Sequence, residues 1–195
     1  MSENQHKKPA RGSEPRGGES PEHISFLSSL LVRFPEIGSA QLLDGGRTLS
    51  LEFYLNRRLG SAEFRRFADE VRTSQEVFLS LVRLKPADFR LERQRPARAR
   101  RGERLEGLDS FQAVRDLGTL TVEEISLLVA LVREHFGEDL VRGEELFEED
   151  EDLQEEMIHE SLEKIRNFSQ EVNLIGFRDD MRVLIYSSGE SKSTE

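Results

Sequence analysis

The sequence predicts a mixed α+β fold in which an antiparallel sheet, or sheets, of hairpins and single strands carries helices packed on one side, in the order α-ββ-α-β-β-α-α-ββ. Three observations carry this. Leu49, Leu51, Phe53 and Leu55 alternate with Thr48, Ser50, Glu52 and Tyr54, the period of a strand with one buried face. "LTVEEISLLVALVREHFG" pairs Thr121 with Glu124 as a capping box and Leu120 with Ile125 as its hydrophobic staple, so a helix starts there and ends at Gly137. Two apolar runs, "NLIGF" and "RVLIY", flank Asp179 and Asp180 and read as a C-terminal hairpin.

The remaining elements follow in order. Residues 1–20 contain almost no apolar side chain and are expected to be a disordered tail, because burial there could not offset the entropy of ordering. Ser20 as N-cap and Pro21 at the first helical position open a helix with Ile24, Leu27, Leu30, Leu31 and Phe34 at helical spacing, closed by Pro35. "SAQLLDGGRTLSLEFYL" is a hairpin turning at Asp44-Gly45-Gly46. Ser61 is placed as the cap of a helix running to about Leu84, with Phe64, Phe67, Ala68, Val71, Phe78 and Val82 facing inward as packing rather than a ligand box. "ADFRLERQ" reads as a third strand, "RQRPARARRGERLEG" as a surface loop and "DSFQAVRDL" as a fourth strand. A last helix spans about Leu153 to Glu171, and residues 188–195 are expected to fray. The expected organisation is one domain over 21–187, with sub-units 21–94 and 105–187 joined by the Arg-rich loop.

With 195 residues and no cysteine, the chain can build a core without staples, and disulfides, thiolate nucleophiles and cysteine-based metal sites are excluded. The absence of cysteine, of an apolar leader and of any apolar run longer than "LLVALV" leads to the expectation of a cytoplasmic protein with no membrane span. Net charge is −10, divided as 0 for residues 1–22, +1 for 23–84, +5 for 85–104 and −16 for 105–195. That asymmetry bears on partners rather than on fold.

Two charge clusters are therefore the candidate sites. The acidic one runs from Glu144 through Glu148, Glu149, Asp150 and Glu151 to Glu156. Asp152 and Glu155 have capping-box spacing, and acids in a first turn suit the helix dipole, but a cap needs only one or two of them. The basic cluster is Arg93, Arg95, Arg98, Arg100, Arg101 and Arg104, which lacks the interleaved aromatics of a base-stacking surface. It reads as a solvated or self-paired loop, a protein-docking loop or a phosphate-binding one.

Glu156-x-x-His159 has the spacing of a carboxylate-bridged metal site, but a helical wheel turns Glu156, His159, Glu160 and Glu163 away from the apolar arc of Leu153, Met157, Ile158, Leu162, Ile165 and Phe168. No second such pair occurs, since His6, His23 and His135 lack that context. His135, near a helix C-terminus, reads as structural. Phosphate-binding glycine loops, nucleophile elbows and zinc-protease motifs are absent, so no catalytic residue, cofactor or metal is assigned.

The reading this supports is a non-enzymatic protein-interaction or regulatory module that presents an acidic surface and a basic loop. Its partner-binding residues are Glu148, Glu149, Asp150, Glu151, Arg98, Arg100, Arg101 and Arg104. The alternative is an RNA-associated factor binding through Arg93–Arg104, and the third reading is a metal-dependent enzyme. In the C-terminal hairpin, apolar residues at nearly consecutive positions imply either helices over both faces or an exposed docking surface, with homo-oligomer formation through that hairpin.

Overall fold

A computed structural model of the chain describes residues 21–85, 88–94, 109–144, 151–167, 172–179 and 182–187. The elements are α1 (Pro21–Arg33), β1 (Ser39–Leu43), β2 (Thr48–Leu55), α2 (Ser61–Leu81), β3 (Phe89–Gln94), β4 (Asp109–Asp116), α3 (Val122–Phe136), a 3-10 turn (Gly137–Asp139), α4 (Glu151–Asn167), β5 (Leu174–Asp179) and β6 (Arg182–Ser187). Their order is the one expected, and the strands form a single six-stranded sheet in the order β3-β4-β2-β1-β5-β6 with every pairing antiparallel. The predicted tail at 1–20, most of the Arg-rich loop and the 188–195 terminus lie outside the described residues.

The register explains which face is buried. Leu51 aligns with Ala40 and Ala113, Leu49 with Leu42, and Phe53 with Phe111, so the apolar alternation of β2 continues across its neighbours. Phe53 stacks on Phe111 at 5.2 Å, and Phe67 of α2 meets the edges of Phe111 and Phe136 at 5.4 and 4.8 Å. Such aromatic pairs contribute about 0.5–1.5 kcal/mol each beyond area burial. Over the other half of the sheet, Phe26, Leu27, Leu30 and Leu31 of α1 pack down with Ile158, Leu162 and Ile165 of α4.

Local chemistry departs from the expected pattern in three places. α2 begins after Gly60, its N-cap, and Ser61 is the first helical residue with no side-chain cap. Its buried stripe is Phe67, Val71, Gln75 and Leu79, at spacing four, so Ala68 and Phe78 are only half-buried and Val82 is exposed. The helix stops at Leu81 because Arg83 adopts a positive φ of 57°. The third departure is at α3. Thr121 Oγ1 accepts the Glu124 N–H at 3.2 Å, but the Glu124 carboxylate takes Arg115 instead of closing the box. Leu120 and Ile125 are both buried, as a staple requires.

The β1–β2 turn needs its glycines. Asp44, Gly45 and Gly46 have φ of 53°, 68° and 83°, and a Cβ on Gly46 would lie 3.1 Å from His23 Nε2. Gly45 N–H donates to Asn173 Oδ1 at 3.2 Å, tying the turn to the entry of β5.

Candidate functional site

Of the residues singled out as partner-binding, Arg98, Arg100, Arg101, Arg104, Glu148, Glu149 and Asp150 lie outside the described residues, and Glu151 is the first residue of α4. Arg93 lies in β3, where its guanidinium donates to Asp109 Oδ2 at 2.7 Å and to Ser61 Oγ at 3.3 Å. Burial alone would raise the Asp109 pKa. The Leu59 N–H, at 2.9 Å, and Arg93 outweigh it and hold that carboxyl below its usual range.

On α4, Glu156, His159, Glu160 and Glu163 face water, with 60% of the His159 side chain exposed and its Nε2 3.6 Å from Glu163 Oε1. Among the described residues, no group of three or more His, Asp or Glu side chains converges as a metal site would require. The buried face of α4 is narrower than a helical wheel suggests. Gln154, Ile158, Ser161, Leu162 and Ile165 are buried, while Leu153 and Met157 are 50% and 45% exposed. The reason is packing: α1 meets α4 along the stripe of Ile158 and Leu162, and the flank beyond it has no covering element among the described residues.

Met157, with Gln154, forms one wall of a groove of about 530 Å³ between α1 and α4, and Leu153 lies beyond its rim. Ile24, Ser28 and Val32 of α1 face Gln154 and Met157 of α4 across it. Arg33 Nη2 bonds Glu155 Oε1 at 3.1 Å, bracing the two helices against each other. At about 100° per residue, Leu153 and Met157 form a strip with Gln154 on its groove side and Glu156 and Glu160 on the other. From Glu151 to Glu163 the helix contains no lysine or arginine, so the border of the groove is acidic. Apolar floor, small serines and carboxylate border form one surface.

Elsewhere among the described residues, several buried or half-buried ionisable side chains are engaged with protein partners. On the open face of the sheet, meaning the one that no described helix covers, the Glu52 carboxylate accepts Ser39 Oγ, Tyr54 Oη and Ser110 Oγ at 3.1, 2.9 and 2.8 Å. Burial, the Glu52 charge and that hydrogen bond push the Tyr54 phenol up to about 12. The Glu52 carboxylate, accepting three hydroxyls, ties β1, β2 and β4 together across the sheet. Arg115 and Glu124, from β4 and α3, form a buried bidentate pair at 2.8 and 3.1 Å. Glu36 is 1% exposed and accepts Arg133 Nη2 at 2.7 Å.

Two of these contacts join residues tens of positions apart, Glu52 with Ser110 and Glu36 with Arg133, and no spacing rule in the chain could announce those. The groove had a signal, namely the surplus of apolar positions on α4.

Compared with protein-family models, curated proteins and solved structures, the chain matches none of them. The described residues define a mixed α+β fold with one six-stranded antiparallel sheet covered by helices.

Proposed function

We propose that the protein is a non-enzymatic interaction module whose α1–α4 groove binds an amphipathic, basic helical segment of another protein. The observation that carries this reading is the pairing of an apolar groove with an acidic border on a single helix. Leu153 and Met157 stay half in water, although neighbouring positions on the same helix are fully buried. Exposed apolar strips of this kind are favourable only when something covers them. A methionine at such a surface adapts its shape to the side chain it meets. A docked helix would place apolar residues at i and i+3 or i+4 in the groove and lysines or arginines over Glu156 and Glu160. The carboxylates then supply orientation and a salt-sensitive association rate more than affinity.

Arg93 is the arginine of the basic cluster that lies among the described residues, and its engagement by Asp109 and Ser61 commits it within the molecule and not to a phosphate.

The test is a selection from a displayed peptide library, with Ser28→Trp protein, its fold checked by circular dichroism, as the counter-target. The reading expects enriched peptides with helically spaced apolar anchors flanked by Lys or Arg. Their affinity should drop at least roughly tenfold on Ser28→Trp, a loss of about 1.4 kcal/mol, and weaken further with salt. Peptides that bind Ser28→Trp as well as the unaltered protein would place recognition elsewhere.

A further inference from the structure

We propose that two copies of the protein associate by antiparallel pairing of β6 with β6, joining their sheets into one continuous twelve-stranded sheet. The two edges of the sheet differ in chemistry. The β3 edge, "FRLERQ", carries Arg90, Glu92 and Arg93, with Arg90 and Glu92 side chains about half exposed. Charges at such positions are how natural edge strands resist pairing. The β6 edge reads "RVLIYS", with four consecutive uncharged, largely apolar residues at its centre, and among the described residues β6 pairs with β5 alone.

The second copy fits for a reason of register. Alternation places Arg182, Leu184 and Tyr186 on the open face and Val183 and Ile185 on the face covered by α1. A two-fold axis normal to the sheet keeps faces aligned only when the paired residue numbers sum to an even value. With Leu184 opposite Leu184 of the second copy, Val183 meets Ile185 on the covered face and Arg182 meets Tyr186 on the open face. No like charges oppose one another. The Arg182 guanidinium, on a side chain 73% exposed, comes within reach of an aromatic ring already stacked on Phe177 at 5.6 Å. That is a cation–π pairing made twice by symmetry. The Phe177–Tyr186 stack also argues against this face as a nucleobase platform, since each ring occupies a face of the other.

Sedimentation velocity on the full chain over a wide concentration series tests the mass. The proposal expects a shift from 22.4 kDa towards twice that value as concentration rises. Tyr186→Lys should return the protein to monomer by setting two cations opposite each other, and adding Arg182→Glu should restore the dimer by charge exchange. Because the chain has no cysteine, Leu184→Cys reports the axis directly. Under mild oxidation it should cross-link at least roughly tenfold faster than Glu92→Cys on the other edge, since only a residue on the two-fold meets its own copy within disulfide reach. Four results would each overturn the proposal: a monomer at every concentration, a dimer indifferent to Tyr186→Lys, a double exchange that stays monomeric although folded by circular dichroism, or a Leu184→Cys variant that cross-links no faster than Glu92→Cys.

Discussion

Replacing Arg115 with methionine should destabilise the protein more than replacing its partner Glu124 with leucine, and making both changes should recover most of the loss. The asymmetry comes from what each side chain retains when the other is removed. The Glu124 side chain is 1% exposed, and its two oxygens accept Arg115 Nε and Nη2 at 2.8 and 3.1 Å. Without Arg115 the carboxylate is stranded in the core, a situation that costs about 3–5 kcal/mol. Arg115 is better supported. It also donates to the carboxylate and carbonyl of Asp116 and, at 3.0 Å, to Thr119 Oγ1, so removing Glu124 deletes two charge-assisted bonds but leaves the guanidinium solvated by protein. That loss is about 2–3 kcal/mol. Methionine facing leucine fills similar space among Leu49, Leu120 and Leu128 without any charge to satisfy, and should lie within about 1–2 kcal/mol of the unaltered protein. The assay is urea unfolding followed by far-UV circular dichroism, since the chain has no tryptophan. Equal single losses that simply add in the double variant would refute the argument.

Two further outcomes follow from the geometry. His23 is buried, and burial lowers its pKa below 6.5 despite the opposing Glu22 charge; its Nδ1 has no hydrogen-bond partner among the described residues. The native state therefore keeps the ring neutral while the unfolded chain takes a proton below about pH 6.5, so this contribution is fully present above that pH and is lost as pH falls towards the lowered native value. His23→Phe should flatten the change in urea midpoint between about pH 7 and 5.5, and an unchanged slope would count against it. Arg178, its pKa lowered by burial, forks its guanidinium onto the Leu31 and Val32 carbonyls at the end of α1 and donates to the Glu144 carbonyl at 2.6 Å. Arg178→Met should cost about 2–3 kcal/mol and speed hydrogen exchange of the last α1 amides, with Arg178→Lys rescuing only part because an ammonium cannot reproduce the fork. Unaltered exchange in both would dismiss the cap.

Element order was legible because periodicity is a local property. The alternation from Thr48 to Leu55 and the Thr121 cap each depend on a few neighbouring residues. What was not legible is what the sheet does with those elements. β5 pairs with β1, from the other end of the chain, and nothing in "NLIGFRDD" announces that. The capping box failed for a related reason. Glu124 sits at the right spacing to reach back to Thr121, but β4 brings Arg115 beside it, and a buried cation outcompetes a backbone N–H for the carboxylate. Gln75 is the same lesson on α2. A polar residue on the buried stripe breaks the hydrophobic pattern, and apolar spacing alone points past it to Phe78 and Val82.

The groove was half-legible, and the missing half is instructive. A helical wheel of α4 counts Leu153, Met157, Ile158, Leu162 and Ile165 as one apolar arc and assigns all of it to the core. Of these only Ile158, Leu162 and Ile165 are buried among the described residues, so two of the apolar positions are surplus to the buried face, and both lie in the acidic half of the helix. A surplus of that kind costs solubility and adds nothing to stability, so folding alone gives no reason for it. If Leu153 and Met157 exist for recognition, Leu153→Gln with Met157→Gln should leave the unfolding free energy within about 0.5 kcal/mol of the unaltered value, as surface changes do, while abolishing binding of any peptide selected on the groove. A large stability loss in that double variant would return both residues to the core and leave the acidic stretch as no more than the charged start of a helix.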